Sequence, residues 1–280
     1  MKKFLITATF AIAAICVQAQ FSIGFKGGFN LTNVSFELDE AVHLYDGEMP
    51  EFRFTPGFQV GLVADFGISE SFSIQPGILF SRQGGRAQWT DWERDSWGSG
   101  NWEEWRYRQM ISLNYIQIPI NVQYKLPLGR NASFILQAGP YVGFAIGGKH
   151  IFEFEEKGRM LLGETAREWD RSGGEFMRIK FGSDNISLED GDGLIFRRLD
   201  FGVGFGLGAQ VGSFQIRAGY NLGLRNFMNQ FEFEDWDTGE IVTTSDNSIR
   251  NSGITLSVTY LFGANRAGRG GRGGSGRRVW

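Results

Sequence analysis

Lys26, Asp65, Asp200, Arg217 and Arg225 stand on the small or polar side of segments whose other side is almost unbroken hydrocarbon. Charges so placed can balance one another in a network that fills an interior, or they can line a narrow path for ions. A buried charge without a partner is expensive, so the pattern predicts a paired network plugging a lumen, with a small passive channel as the alternative. A second group is aromatic: Trp89, Trp92, Trp97, Trp102 and Trp105 crowd one stretch, interleaved with Asp91, Glu93, Arg94, Glu103, Glu104 and Arg106. Indole faces beside carboxylates suit stacking on sugar rings or seating a protein partner. Alternatively, Trp89 and Trp105 belong to strands that run beyond a membrane, with aromatics at the headgroup level. Their spacing, neither strictly two nor helical, leaves both readings open.

Other candidate chemistry is thinner. Leu188-Glu189-Asp190-Gly191-Asp192-Gly193 resembles a calcium loop but lacks the remaining spaced ligands and the terminal glutamate, so it reads as an acidic turn. The histidines, His43 and His150, fall in or beside different long connections with no companion motif, which predicts no catalytic site. The single cysteine, Cys16, lies within the first twenty residues, so the remaining chain has neither a disulfide nor a cysteine-ligated metal. No metal and no cofactor are expected.

The elements that would position these side chains alternate with period two. Leu199–Val211, LDFGVGFGLGAQV, has Leu199, Phe201, Val203, Phe205, Leu207, Ala209 and Val211 on one face. Asp200, four glycines and Gln210 occupy the other. Seven further segments repeat the pattern: 21–31, 54–66, 72–81, 116–124, 134–146, 214–225 and 254–262, although Val63 breaks it. Each approaches the roughly 9–11 residues that a tilted transmembrane strand needs. Rows of glycine are poor strand formers unless something crowds their face. A narrow barrel with lipid outside and a filled interior supplies that reason. The expected fold is therefore all-β: an eight-stranded, antiparallel, up-and-down transmembrane β-barrel with long extracellular loops. Short links at 67–71, 126–131 and 212–213 alternate with long ones at 32–53, 82–109, 147–197 and 226–252, as periplasmic turns and external loops do. IFEFE and EFMRIKF, both within the third long link, each alternate and suggest an external hairpin. Gly212-Ser213 suits a two-residue type II′ turn. It would pair Val211 with Phe214, set Phe205 beside Tyr220, and bring Asp200 within ion-pair range of Arg225.

The ends differ from the body. Residues 1–19 read as an export signal: Lys2 and Lys3, an apolar run to Val17, then small residues before Gln20. The body is 20–262. Residues 263–280 form a flexible Arg/Gly-rich tail expected in the periplasm. Its likeness to RNA-binding Arg-Gly repeats is compositional, since an exported chain meets no nucleic acid there. A cationic arm touching anionic lipid headgroups or an acidic partner is the other use. The formal net charge is −3, about −5 without Lys2 and Lys3, and the tail holds five arginines and no acid, leaving the body near −10.

SIGFKGGFNLTNV, QPGILFSRQGG, LNYIQIPINVQYKL, AGPYVGFAIGG, LDFGVGFGLGAQV and IRAGYNLGLRNF resemble, in this order, the PorT-like outer-membrane β-barrel family. The most specific piece is YIQIPI, with Pro119 inside a strand. The resemblance spans Phe21 to Phe262 apart from the long links, and the Arg-Gly tail departs from it. It implies a barrel in the bacterial outer membrane without a shared catalytic motif. The founding member's association with secretion and gliding machinery does not follow from barrel motifs alone. The resulting expectation is a non-enzymatic barrel acting through its external loops in binding, adhesion or envelope assembly. Its partners would be outer-membrane lipid and either secretion-complex proteins or surface glycans. A soluble lipocalin-like carrier, greasy side inward, is a further alternative.

Overall fold

The computed structural model describes residues 20–37, 51–94, 101–162, 165–181, 195–226, 232–234, 241–243 and 248–263. The signal-like segment, most of the tail, His43, Trp97 and the acidic turn at 188–193 lie outside these residues. The strands are β1 (Gln20–Glu37), β2 (Glu51–Gly67), β3 (Phe72–Arg94), β4 (Trp102–Pro127), β5 (Ala132–Leu162), β6 (Thr165–Arg178), β7 (Lys180–Phe181), β8 (Ile195–Phe196), β9 (Leu199–Val211), β10 (Phe214–Gly223), β11 (Glu232–Glu234), β12 (Ile241–Thr243) and β13 (Ser248–Phe262). Eight of them, β1, β2, β3, β4, β5, β9, β10 and β13, pair antiparallel in turn, and β13 returns to β1. The eight-stranded ring has closed on itself. A ninth strand, β6, joins only the far part of β5, from Lys149↔Arg178 to Leu162↔Thr165.

Along the ring the hydrocarbon rows point outward. Phe25, Phe29, Phe205, Phe214, Ile216 and Leu256 are all at least half exposed. A water-soluble monomer does not present a contiguous apolar belt of this size, whereas a lipid-facing wall requires one. The inward rows are polar and buried: Gln75, Gln123, Gln215, Ser81 and Thr259 are at most 1% exposed. An apolar cup of the lipocalin kind would have the opposite polarity. Val63, the exception in its segment, points inward and packs with Leu79 and Leu261. The glycine row on β9 leaves room for the opposite side chain: a Cβ on Gly208 would lie 2.7 Å from Cγ of Arg217 and 2.1 Å from the Ile216 carbonyl.

The Gly212-Ser213 turn sets the register as its chemistry requires. Gly212 takes a φ of 58°, and pairs run from Phe214↔Val211 through Tyr220↔Phe205 to Gly223↔Gly202. Pro119 sits beside a gap in the β3–β4 ladder, which passes from Pro76↔Ile120 to Leu79↔Gln117. The two strands together thus accommodate two residues that cannot donate.

The long links are shorter than the sequence suggests, because strands continue into them. β3 and β4 stay paired to Arg94↔Trp102, so only residues 95–101 connect them. β5 runs on to Leu162 and turns back as β6, pairing Ile151 with Phe176. The hairpin foreseen from IFEFE and EFMRIKF is present and extends further. Beyond the hydrocarbon belt the alternation loses its greasy side and no longer reads as a strand, although backbone pairing persists.

Candidate functional site

Inside the cylinder, Arg217 is the hub. It projects from β10, is 1% exposed, and its Nη1 donates to Gln75 Oε1 at 2.6 Å and Gln137 Oε1 at 2.7 Å. Its Nη2 donates to Thr259 Oγ1 at 2.7 Å. Gln75 Nε2 in turn donates to Gln215 Oε1 at 3.2 Å, and Gln215 Nε2 to Gln210 Oε1 at 3.0 Å. Nearer the short-turn end, Lys125 Nζ meets Asp65 Oδ2 at 2.5 Å. Toward the long-link end, Tyr141 donates to Asp200 Oδ2 at 3.5 Å. Lys26 is buried beside a polar cavity of about 30 Å³ whose lining includes Gln59, Asn121 and Tyr141.

Arg225 acts on Asp200 electrostatically without reaching ion-pair distance. β10 ends at Gly223, so the register does not reach residue 225, which is half-buried in the bend beyond. No Asp200–Arg225 ion pair forms among the described residues, and Asp200 takes Tyr141 as its partner instead. Lys125 was legible but missed: it continues the inward row of Gln117, Asn121 and Gln123. The glutamines that hold Arg217 also lie on inward rows, but only the closed ring shows that four strands converge on one guanidinium.

Above Asp200 the interior turns apolar. Ile111, Leu113, Tyr115, Ala145, Ile179 and Phe196 form a buried cluster with Phe181 against it. Ala145 N donates to Arg198 O at 2.7 Å and Ile179 N to Gly148 O at 3.1 Å, so the chain on either side of the β7–β8 pair is tied to β5. His150, opposite Ile111 in register, is buried, and neither ring nitrogen has a partner. Burial lowers its pKa from the ordinary value of 6.5.

Beyond this cap, β3, β4, β5 and β6 continue as one sheet with two unlike faces. One carries cross-strand ion pairs: Arg108–Glu153 at 2.8 Å, Arg106–Glu155 at 3.3 Å, Lys157–Asp170 at 3.8 Å and Arg159–Glu168 at 3.7 Å. The other is aromatic. Trp89 and Tyr107 stack at 5.4 Å and Tyr107 and Phe152 at 6.0 Å, while Trp169 Nε1 donates to Glu156 Oε1 at 2.7 Å. Trp89, Trp102 and Trp105 are all on these extended strands and half-buried. Trp102 and Trp105, three apart on β4, lie on opposite faces. Trp92 lies on β3, its side chain outside the described residues. Trp102 and Trp105 therefore do not share one platform, and the face of Trp89 is taken up by Tyr107. The stacked ladder of Trp89, Tyr107 and Phe152 went unseen because its members come from three strands.

The outer membrane protein beta-barrel domain family matches residues 18–229 of this sequence. The chain belongs to that family. The match stops before β13, the strand that closes the ring onto β1. As a member of an outer-membrane family, the protein has the bacterial outer membrane as its location. No curated protein sequence matches it. Among solved structures it is similar to Ail, the attachment invasion locus protein of Yersinia pestis, solved with the heparin analogue sucrose octasulfate. That likeness has 11% identity and a TM-score of 0.29, over 86% of this chain and 99% of that one. It is also similar to Neisserial surface protein A at 10% identity and a TM-score of 0.28, over 85% and 96%. The outer membrane protease OmpT of Escherichia coli gives 11% identity and a TM-score of 0.39, over 88% and 97%. At these identities and scores nothing about function follows from them.

Proposed function

We propose that this protein is a closed, non-enzymatic outer-membrane barrel that acts at the cell surface as a binding subunit. In this reading it is PorT-like, and its partner is a protein of an envelope or secretion assembly or a surface glycan. The carrying observation is the four-strand extension from Thr90 to Arg178, which projects past the mouth and presents an aromatic face and a charged face. Building such an extension stabilises nothing in the membrane, and it offers what recognition needs: anchored aromatics within a polar surround. Two features speak against conduction. The Arg217 network fills the lumen, and the Ile111–Phe196 cluster covers one end. His150 without partners speaks against catalysis. Short turns lie in the periplasm in barrels of this type, which puts the extension outside. β13 ends at Phe262 at the short-turn end, so the Arg-Gly tail that follows the removed-signal body is periplasmic in this reading.

The test trims the extension to tight turns, deleting 88–108 and 149–178, and follows both folding and surface binding. The trimmed barrel should keep its heat-dependent gel mobility while no longer capturing, by chemical crosslinking on intact cells, the partner that wild type captures there. Unchanged partner capture by the trimmed barrel, or reproducible unitary currents from wild type in planar bilayers, would overturn the proposal.

A further inference from the structure

Charge inside the wall does not balance. Lys26, Lys125 and Arg217 are set against two carboxylates, Asp65 and Asp200, and one of those is already taken by Lys125. Arg217 is held by neutral oxygens of Gln75, Gln137 and Thr259, with no carboxylate in ion-pair range. Lys26 is 7% exposed and forms neither a hydrogen bond nor an ion pair with any described residue. Beside Lys26 lies the cavity of about 30 Å³, lined by Lys26, Gln59, Asn121, Gln137, Asn221 and Thr255 among others; Gln137 is also a partner of Arg217. Gln59 is 4% exposed, and its Nε2 has no acceptor. An ammonium without a counter-charge and an amide donor without an acceptor thus line one small polar chamber, and a second cation lies within electrostatic reach of Lys26.

Asp65 acts on Arg217 from beyond ion-pair distance, whereas no carboxylate acts on Lys26, and a buried cation so placed is costly. Where an unpaired ammonium and an unused amide donor meet in one chamber, an anion is the ligand that complements both. Its size limits which anion. About 30 Å³ is the order of one or two water molecules, enough for a monatomic halide and too small for a tetrahedral oxyanion. We propose that the barrel encloses a chloride site in which Lys26 and Gln59 are the principal donors and the ion neutralises the Lys26–Arg217 pair. Chloride would then be a structural ligand of the wall, held between the Arg217 network and the Asp200 layer.

The experiment uses the full-length protein refolded in detergent, crystallised and soaked in bromide. Chloride dependence of urea unfolding is measured at constant ionic strength with gluconate as the replacement. The expected result is an anomalous bromide peak in the chamber within hydrogen-bond distance of Lys26 Nζ and Gln59 Nε2, and an unfolding midpoint that rises with chloride concentration. Gln59→Glu places a carboxylate in the same chamber, so it should fold, lose the bromide peak and lose the chloride dependence. Lys26→Met should abolish the peak. If Lys26→Met fails to fold, Gln59→Glu alone decides. A chamber that holds only water in bromide-soaked crystals, or a chloride dependence that survives Gln59→Glu unchanged, would overturn the proposal.

Discussion

Arg217 shows what the interior demands of a single side chain. Its guanidinium is out of water, and Gln75, Gln137 and Thr259 supply oxygens to Nη1 and Nη2 from three other strands, while Nε has no partner among the described residues. Arg217→Met would leave those acceptors facing a hydrocarbon chain, and buried polar groups stripped of partners cost about 1–3 kcal/mol each. A loss of at least about 3 kcal/mol is expected in urea-unfolding titrations of the refolded protein, with several acceptors stripped at once. His150 gives a pH-dependent counterpart. Because burial holds its folded pKa below 6.5, the unfolded chain takes up a proton first as the medium acidifies. Its neutral form is fully compatible with the fold above pH 6.5, and stability falls as pH drops from there toward the folded value. Wild type should therefore lose more stability than His150→Gln between pH 7.5 and 5, measured by urea midpoints. Equal losses would remove His150 as the source.

At the scale of strands, legibility tracked where the chemistry of the two faces differs. Within the membrane each strand sets hydrocarbon against glycine, glutamine or threonine, so period two is plain and a single turn, Gly212-Ser213, fixes the β9–β10 register. Outside it, β3–β6 set Arg and Glu against Trp, Tyr and Phe. Neither row looks like a core, which is why much of these strands reads as loop. The mouth cluster was illegible for another reason: Ile111 meets Phe196 across many intervening residues, and nothing local marks either. Arg225 lies two residues past the end of β10, where pairing has given way to a bend, and it acts on Asp200 without reaching ion-pair distance. The stacked ladder gives this scale its prediction. Tyr107 bridges Trp89 and Phe152, and aromatic pairs contribute about 0.5–1.5 kcal/mol beyond area burial. Tyr107→Ala should speed proteolytic cleavage within 86–110 and 149–178 while leaving the heat-modifiable gel shift of the barrel intact. Loss of that gel shift would mean that the extension and the wall fold as one unit.

For the whole molecule, one polarity organises everything else: hydrocarbon outward to lipid, polar groups inward to a filled centre, and recognition surface carried beyond the mouth. The lumen network, the chamber at Lys26 and the extension make sense only if that polarity holds in a real bilayer. Single spin labels at Phe205, Ile216 and Tyr220 in reconstituted vesicles test it most directly, since all three positions face outward and tolerate a bulky group. The expected result is high collision rates with oxygen and little contact with a water-soluble nickel chelate, with the depth order following the register. Labels shielded from both reagents would place these residues inside the cylinder, and labels open to the nickel chelate would place the wall in water; either result contradicts the account.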